Sequence, residues 1–250
     1  MLTSADSKTA IRNEELVMVG LSRNLKLEWL NETARLRQEN LSETELKARL
    51  TEYLSREIVS PTNLRKTREI LMRLWVYDDD NKNLRDLAAN MYKDFPNAAQ
   101  AIHWSLLIVT YPIFGCLSKI IGRLFELCEV ITTRQIKQKL FDELGERSTL
   151  FHSTDKIIAT LKDIGALTAR KAGEFTFTPR IVDEEEVIAL MIRSALLSDG
   201  GSYFRLSELE NLNVLYPFRY RVTLELLSDE KFFTVTNFGG ELVVMLKEIH

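Results

Sequence analysis

Residues Thr132 to Thr178 read TTRQIKQKLFDELGERSTLFHSTDKIIATLKDIGALTARKAGEFTFT. Thr132 and Gln135 have the T-x-x-Q spacing of a capping box, which predicts a helix starting there. Ile136, Leu140 and Leu144 recur every four residues and give that helix one apolar face, and Gly145 is placed to stop it. Ser153, Thr154 and Asp155 predict the start of a second helix, with Asp155 near the positive end of its dipole. Ile157, Ile158, Leu161 and Ile164 share one face, and Gly165 suits a left-handed cap. Leu167 to Ala169, the basic turn Arg170-Lys171-Ala172-Gly173, and alternating Phe175-Thr176-Phe177 predict a short hairpin. Helix, short connection, helix, hairpin is the order of a winged helix-turn-helix.

A helix with a polar outer face fits the major groove of DNA. The expected outward set is Ser153, Thr154, Lys156 and Thr160, opposite the isoleucines. Arg170 and Lys171 at the hairpin tip can reach phosphates or the minor groove. The competing reading is a helical subdomain whose hairpin touches only protein, since Lys-rich turns are common on solvated surfaces.

Upstream, Asn13-Glu14-Glu15 predicts a helix start, followed by Leu16, Val17, Val19 and Leu21, with the apolar pattern running on to about Arg37. Ser42 and Glu45 form a second capping box before Leu46, Leu50, Tyr53 and Leu54. After Ser60-Pro61 comes a helix with Leu64, Ile70, Leu71, Leu74 and Trp75 on one side. Arg65, Lys66, Arg68 and Arg73 make its expected outside basic, either a solvated face paired with Asp78, Asp79 and Asp80 or a patch for phosphates. The three aspartates lack the spacing, glycine and distant glutamate of a calcium loop, so they are read as a loop and cap. Leu84 to Phe95 predicts another helix. Phe95 to Ser118 carries no Asp, Glu, Lys or Arg, but Asn97, Gln100, His103 and Pro112 interrupt it, so it is read as a buried helix rather than a membrane span. Ile113 to Val130 is amphipathic.

Downstream, Asp183 to Leu197 predicts a helix with an acidic first turn. A short helix is expected over Ser207 to Leu212 and a longer one from Pro217 to about Leu227. Phe232 to Asn237 and Glu241 to Leu246 flank Phe238-Gly239-Gly240 as a hairpin. The order helix, helix, hairpin is thus repeated. Arg205, Arg219, Arg221 and Lys231 on this unit are offset by Glu208, Glu210 and Glu225.

An apolar share of 45% with 28% charged residues belongs to an ordinary soluble globular chain. A net charge of −3 excludes a protein coated in positive charge, so any nucleic-acid contact comes from a local patch. Cys116 and Cys128 sit twelve apart in apolar text with no Cys/His cluster, which argues against zinc and for thiols in a reducing cytoplasm. No phosphate-binding glycine loop, nucleophile elbow or H-E-x-x-H is present, and three histidines leave little for acid–base work. Neither catalysis nor a cofactor or metal is expected, and no signal peptide is read in the polar opening residues.

Four features carry a resemblance. Gly20-Leu21 lies in an N-terminal helix; the arginine-rich Leu64 to Leu74, ending Arg73-Leu74, follows a turn; Ala101 to Val130 is a very apolar helix pair. Last comes a helix-turn-helix with Thr154, Lys156 and Ile157 at its start and Gly165, Ala166 and Leu167 at its end. In these the chain resembles the BrxA family, small accessory proteins of bacterial BREX phage-resistance systems, over residues 15 to 180. The resemblance implies a helical bundle like that of an RNA-binding antitermination factor, joined to a DNA-binding winged helix. The segment after Arg180 departs from the shorter members of that family.

The expectation is therefore a mainly α chain. Residues 11–130 form a helical bundle, 131–181 a winged helix-turn-helix, and 182–250 a helical extension with a β-hairpin that resembles a second winged-helix module. The expected function is non-catalytic binding of double-stranded DNA, alongside other phage-defence proteins and away from membranes. The alternatives are a module that docks on a larger defence complex, and a transcriptional regulator acting as a symmetric dimer. Oligomeric state is not legible.

Overall fold

The computed structural model describes residues 21–146, 148–201, 203–228 and 232–247. The expected helix start at Asn13, the pair Gly20-Leu21 except Leu21 itself, and Lys231 lie outside the described residues. What is described is mainly helical, with a few small sheets.

Helix α1 (Leu27–Arg37) buries Trp29, Leu30, Ala34 and Leu36. Helix α2 (Glu43–Ser55) starts at the expected capping box: the Glu45 amide donates to Ser42 Oγ at 3.3 Å and the Ser42 amide to Glu45 Oε2 at 2.9 Å. Helix α3 (Pro61–Trp75) is capped by Ser60 and has Pro61 in its first turn, where no amide partner is lost. Helix α4 (Lys82–Asp94) leads through a 3-10 turn at Pro96–Ala98 into α5 (Ala99–Thr110). The aspartates lie in the loop as read, but none caps α4, whose N-cap Asn81 makes no side-chain cap hydrogen bond. Asp79 accepts from the Asn81 amide at 2.9 Å and pairs with the buried Arg85 at 2.7 Å, while Asp78 pairs with Lys82 at 3.1 Å.

Helix α5 is the hub. It is apolar almost all round, and ten of its twelve residues are buried, as befits a helix with neighbours on every side. It packs on α3, α4 and α6 (Pro112–Leu127), and on α9 (Glu185–Asp199) from the far end of the chain. Tyr111-Pro112 bends the path between α5 and α6 by 116°, because the residue before proline is pushed out of helical geometry. No single helix among the described residues is long and apolar enough to cross a membrane.

Strand β1 (Ile131–Thr132) precedes α7 (Thr133–Leu144), whose predicted capping box is formed, with Gln135 N to Thr132 Oγ1 at 3.2 Å. Helix α8 (Ser148–Asp163) and the hairpin β2 (Thr168–Lys171) and β3 (Glu174–Thr176) follow. The sheet order is β1-β3-β2, all antiparallel, with Ile131 opposite Phe175 and Ala169 opposite Phe175 on the other side. Gly165 ends α8 at φ +76°, and the Ala166 and Leu167 amides return to the Leu161 carbonyl at 2.7 and 3.0 Å.

Strand β4 (Arg180–Ile181) runs into α9. Beyond α9 come β5 (Phe204–Arg205), 3-10 turns at Leu206–Asn211 and Asn213–Leu215, β6 (Phe218–Arg219), the four-residue α10 (Leu224–Leu227), and the hairpin β7 (Phe233–Phe238) and β8 (Glu241–Leu246). The sheet order β5-β8-β7 repeats that of the first small sheet. The hairpin agrees with its predicted place, but of the helix expected from Pro217 to about Leu227 only the last turn, Leu224–Leu227, forms. Phe218 and Arg219 instead pair in parallel with Arg180 and Ile181, through Arg180 N to Pro217 O at 2.8 Å and Val182 N to Arg219 O at 2.9 Å. Burial of Phe218 against Trp104, ring centroids 5.5 Å apart, outweighs local helix preference.

An aromatic cluster joins the three sequence segments. Trp104 of α5 donates to the Val214 carbonyl at 2.9 Å and meets Phe114, Tyr216 and Phe218 edge-on. Tyr216 touches Phe125 and Phe177 and donates its hydroxyl to the Ala166 carbonyl at 3.3 Å. Buried apolar residues from 21–130, 131–181 and the C-terminal part form one continuous core.

Candidate nucleic-acid interface

Helix α8 starts at Ser148, five residues before the expected Ser153. The shift changes which residues it shows to solvent. Ser153, Thr154 and Thr160 were expected to face outward; instead they are 8%, 0% and 0% exposed. The apolar stripe runs back from Ile164 through Leu161, Ile157 and Ile158 to Leu150, and these hydroxyl residues sit within it. Thr154 donates to the Leu150 carbonyl at 2.7 Å and Thr160 to the Lys156 carbonyl at 2.9 Å, so each polar group is satisfied inside the helix. Thr160 Oγ1 also accepts from the Leu25 amide at 2.9 Å, holding the segment before α1 against α8. None of the three can touch a base.

The exposed residues of α8 are Ser148, Thr149, Phe151, His152, Asp155, Lys162 and Asp163, with Lys156 and Ala159 half-buried. Asp155 pairs with Lys137 of α7 at 2.7 Å, and the Lys137 ammonium lies 3.5 Å from the centre of the exposed Phe151 ring. Leu150 at seven residues before Ile157 is the sequence signal that could have revealed this register.

The hairpin holds Arg170 and Lys171 in the open, as expected. Lys171 forms an exposed ion pair with Glu174 at 3.0 Å, and Arg170 occupies the irregular position between the paired Ala169 and Lys171. The Thr133 amide donates to the Gly173 carbonyl at 2.9 Å, which anchors the hairpin tip to the start of α7. Arg180 crosses the C-terminal end of α8, where its guanidinium donates to the Gly165 carbonyl at 3.5 Å and complements the negative end of the helix dipole. Residues 131–181 carry nine Lys or Arg against six Asp or Glu, so this segment is cationic within an acidic chain.

On α3 the basic set divides. Arg65, Lys66 and Arg73 are exposed. Arg68 is not part of that face: it turns toward α2, donating to Thr51 Oγ1 at 3.0 Å and pairing with Glu69 at 2.9 Å. Burial works against the Glu69 carboxylate, but hydrogen bonds from Tyr77, Arg68 and Lys47 outweigh it and hold the group down at about 2. Nor do Asp78 and Asp79 pair with the α3 cations as the solvated-face reading supposed, since they are taken by Lys82 and Arg85.

The first two turns of α3 and the middle of α8 share an open cleft of about 340 Å³. Asn63 and Thr67 line it with Lys156, Arg23, Asn24, Trp29 and Ile58. The structure thus places Lys156 on a cleft shared with Asn63 and Thr67 of α3, whereas Arg170 and Lys171 sit on the hairpin beside α7. Arg23 and Asn24 were not singled out in the sequence; nothing near them has a spacing that marks them. Among the described residues, no group of three or more His, Cys, Asp and Glu is placed to hold a metal ion. No family model, no curated protein and no solved structure matches the chain.

Proposed function

We propose that the chain binds double-stranded DNA without catalysing a reaction, as an accessory component of a phage-defence system of the BREX kind. The observation that carries the DNA reading is the order β1, α7, α8, β2, β3 closed into a β1-β3-β2 antiparallel sheet. That is the connectivity of a winged helix, with α8 in the position of the helix that enters a major groove and the hairpin as the wing. Lys162 and the half-buried Lys156 on α8, with Arg170 and Lys171 on the wing, supply cations on the parts such a docking uses. The defence role rests on the resemblance to the BrxA family alone. The sheet order β5-β8-β7, with α10 between β5 and β7, supports reading the C-terminal part as a second, shrunken copy of the same arrangement.

The test is a gel shift with random duplex DNA across a salt series. Binding should fall steeply as salt rises, because neutralised phosphates release counterions. Lys162→Ala with Arg170→Ala and Lys171→Ala should leave the melting temperature near that of the parent and lower affinity at least tenfold, about 1.4 kcal/mol. Parent-like binding by this variant removes the winged helix as a DNA reader.

A second reading, docking on a larger protein, is favoured by the exposed aromatic pair Tyr203 and Phe238, 55% and 70% exposed with rings 6.2 Å apart. Absence of any shift at low salt selects this reading.

A further inference from the structure

The cleft between α3 and α8 has the makings of an anion site. Six of its seven lining residues carry side-chain hydrogen-bond donors, five of them besides the Trp29 indole that Glu57 takes: Arg23, Asn24, Asn63, Thr67 and Lys156; no carboxylate lines it. The Arg23 Nε is buried and has no hydrogen-bond partner among the described residues, and its Nη1 reaches only the adjacent Ser22 carbonyl at 2.5 Å. Thr67 is 2% exposed and lines the same cleft. Lys156 has no ion-pair partner among the described residues. Two carboxylates stand nearby, and both are engaged: Glu57 takes Lys26 and the Trp29 indole, and Asp163 accepts from Asn24 at 3.3 Å. The positive end of α3, a helix of fifteen residues, opens at the same place through Asn63.

A buried donor without an acceptor is costly, and here the Arg23 Nε is one, at an opening lined by further donors. We propose that this cleft binds a phosphate group, with Arg23 and Lys156 supplying charge and Thr67 and Asn24 supplying neutral donors. A guanidinium presents its donors in a planar fork that matches a tetrahedral oxyanion, and the ammonium adds a movable point charge. At about 340 Å³ the cleft is near the lower end of ligand-site volumes, enough for a phosphate with the sugar it is attached to. The phosphate can belong to a DNA backbone or to a free phosphomonoester. The inference rests on the DNA-binding reading only for the first of these sources.

The experiment is titration of inorganic phosphate into the full chain at constant ionic strength, following the Arg23 side-chain Nε–H resonance by NMR. The expected result is a saturable shift, with Arg23→Gln and Lys156→Met each raising the apparent Kd at least tenfold, read for the first variant from the Asn24 amide. Arg23→Lys should recover part of the loss, and Thr67→Val should weaken binding without lowering the phosphate-free melting temperature. Absence of a saturable shift in the parent, or equal binding by the Arg23→Gln and Lys156→Met variants, overturns the proposal. Competition by duplex DNA assigns the site to backbone phosphate. Competition by a nucleoside monophosphate, with no duplex binding at any salt, keeps the cleft and ends the DNA reading. Duplex binding that ignores variants which do weaken phosphate binding assigns the cleft to a free phosphomonoester and leaves the winged helix standing.

Discussion

His103 sits in α5 with its ring edge-on to Trp75, centroids 5.3 Å apart, and beside Tyr92. Its Nε2 lies 2.9 Å from Asn31 Oδ1, an atom that only accepts, so Nε2 carries the proton and Nδ1 is left buried without a partner. Burial pushes the imidazole down to about 3, against an ordinary 6.5. The unfolded chain therefore binds the extra proton first as pH falls. Stability from this group is complete above pH 6.5 and declines through the window from 6.5 to about 3. At pH 5 the loss should be about 2 kcal/mol relative to pH 7. His103→Gln, which keeps a donor for Asn31, should flatten that part of the stability–pH curve in urea unfolding at several pH values; an unchanged slope would show that the ring is accessible to protons. Thr160 offers a second test at this scale. Thr160→Val removes the acceptor of the Leu25 amide and should cost about 1–3 kcal/mol. Duplex affinity, measured where the variant is still folded, should stay at the parent value, which distinguishes a structural hydroxyl from one that touches DNA.

Among the elements, legibility followed the range of the forces involved. The capping boxes of α2 and α7 are contained within four residues, and both appear where the spacing put them. The two hairpins and the glycine end of α8 are equally local. The start of α8 lies upstream of its apparent cap: Ser153-Thr154-Asp155 has the composition of a cap, but its hydroxyl residues fill a stripe already set by Leu150 and Ile157. The strand that replaces helix at Phe218 and Arg219 and the cleft around Arg23 depend on partners far along the chain, Arg180 for one and Lys156 for the other, and no local pattern encodes them. Gly122 in α6 is a further case. A Cβ there would lie 2.2 Å from the Asn213 carbonyl oxygen, so α6 and the 213–215 turn meet backbone to side-chain-free backbone. Alanine is the better helix former by up to about 1 kcal/mol, yet the clash should dominate. Gly122→Ala is expected to destabilise by about 1–3 kcal/mol in denaturant unfolding; a more stable variant would mean that the turn yields freely.

For the whole molecule, the aromatic cluster around Trp104 and Tyr216 determines how the chain comes apart. Trp104 contacts residues from α6 and from the C-terminal part, and Tyr216 reaches the loop after α8. The three sequence segments therefore share interior surface that none of them can bury alone. Unfolding should be one cooperative transition, with circular dichroism and tryptophan fluorescence tracing coincident curves. Trp104→Ala should cost about 3–5 kcal/mol and shift both curves together. Two separated transitions would show that the segment after Arg180 is held only loosely by this cluster.

The Leu25 amide is held by a hydroxyl 135 residues further along the chain. During synthesis, at about 5–20 residues per second, roughly 7–27 seconds pass between the appearance of that donor and of its acceptor. Throughout this interval α1, α2 and α3 can assemble, but the strand of chain that leads into α1 has nothing to close against. The seam at Leu25 thus closes only once Thr160 has been made, and a ribosome-bound chain stopped before Thr160 should leave the Leu25 amide open to exchange.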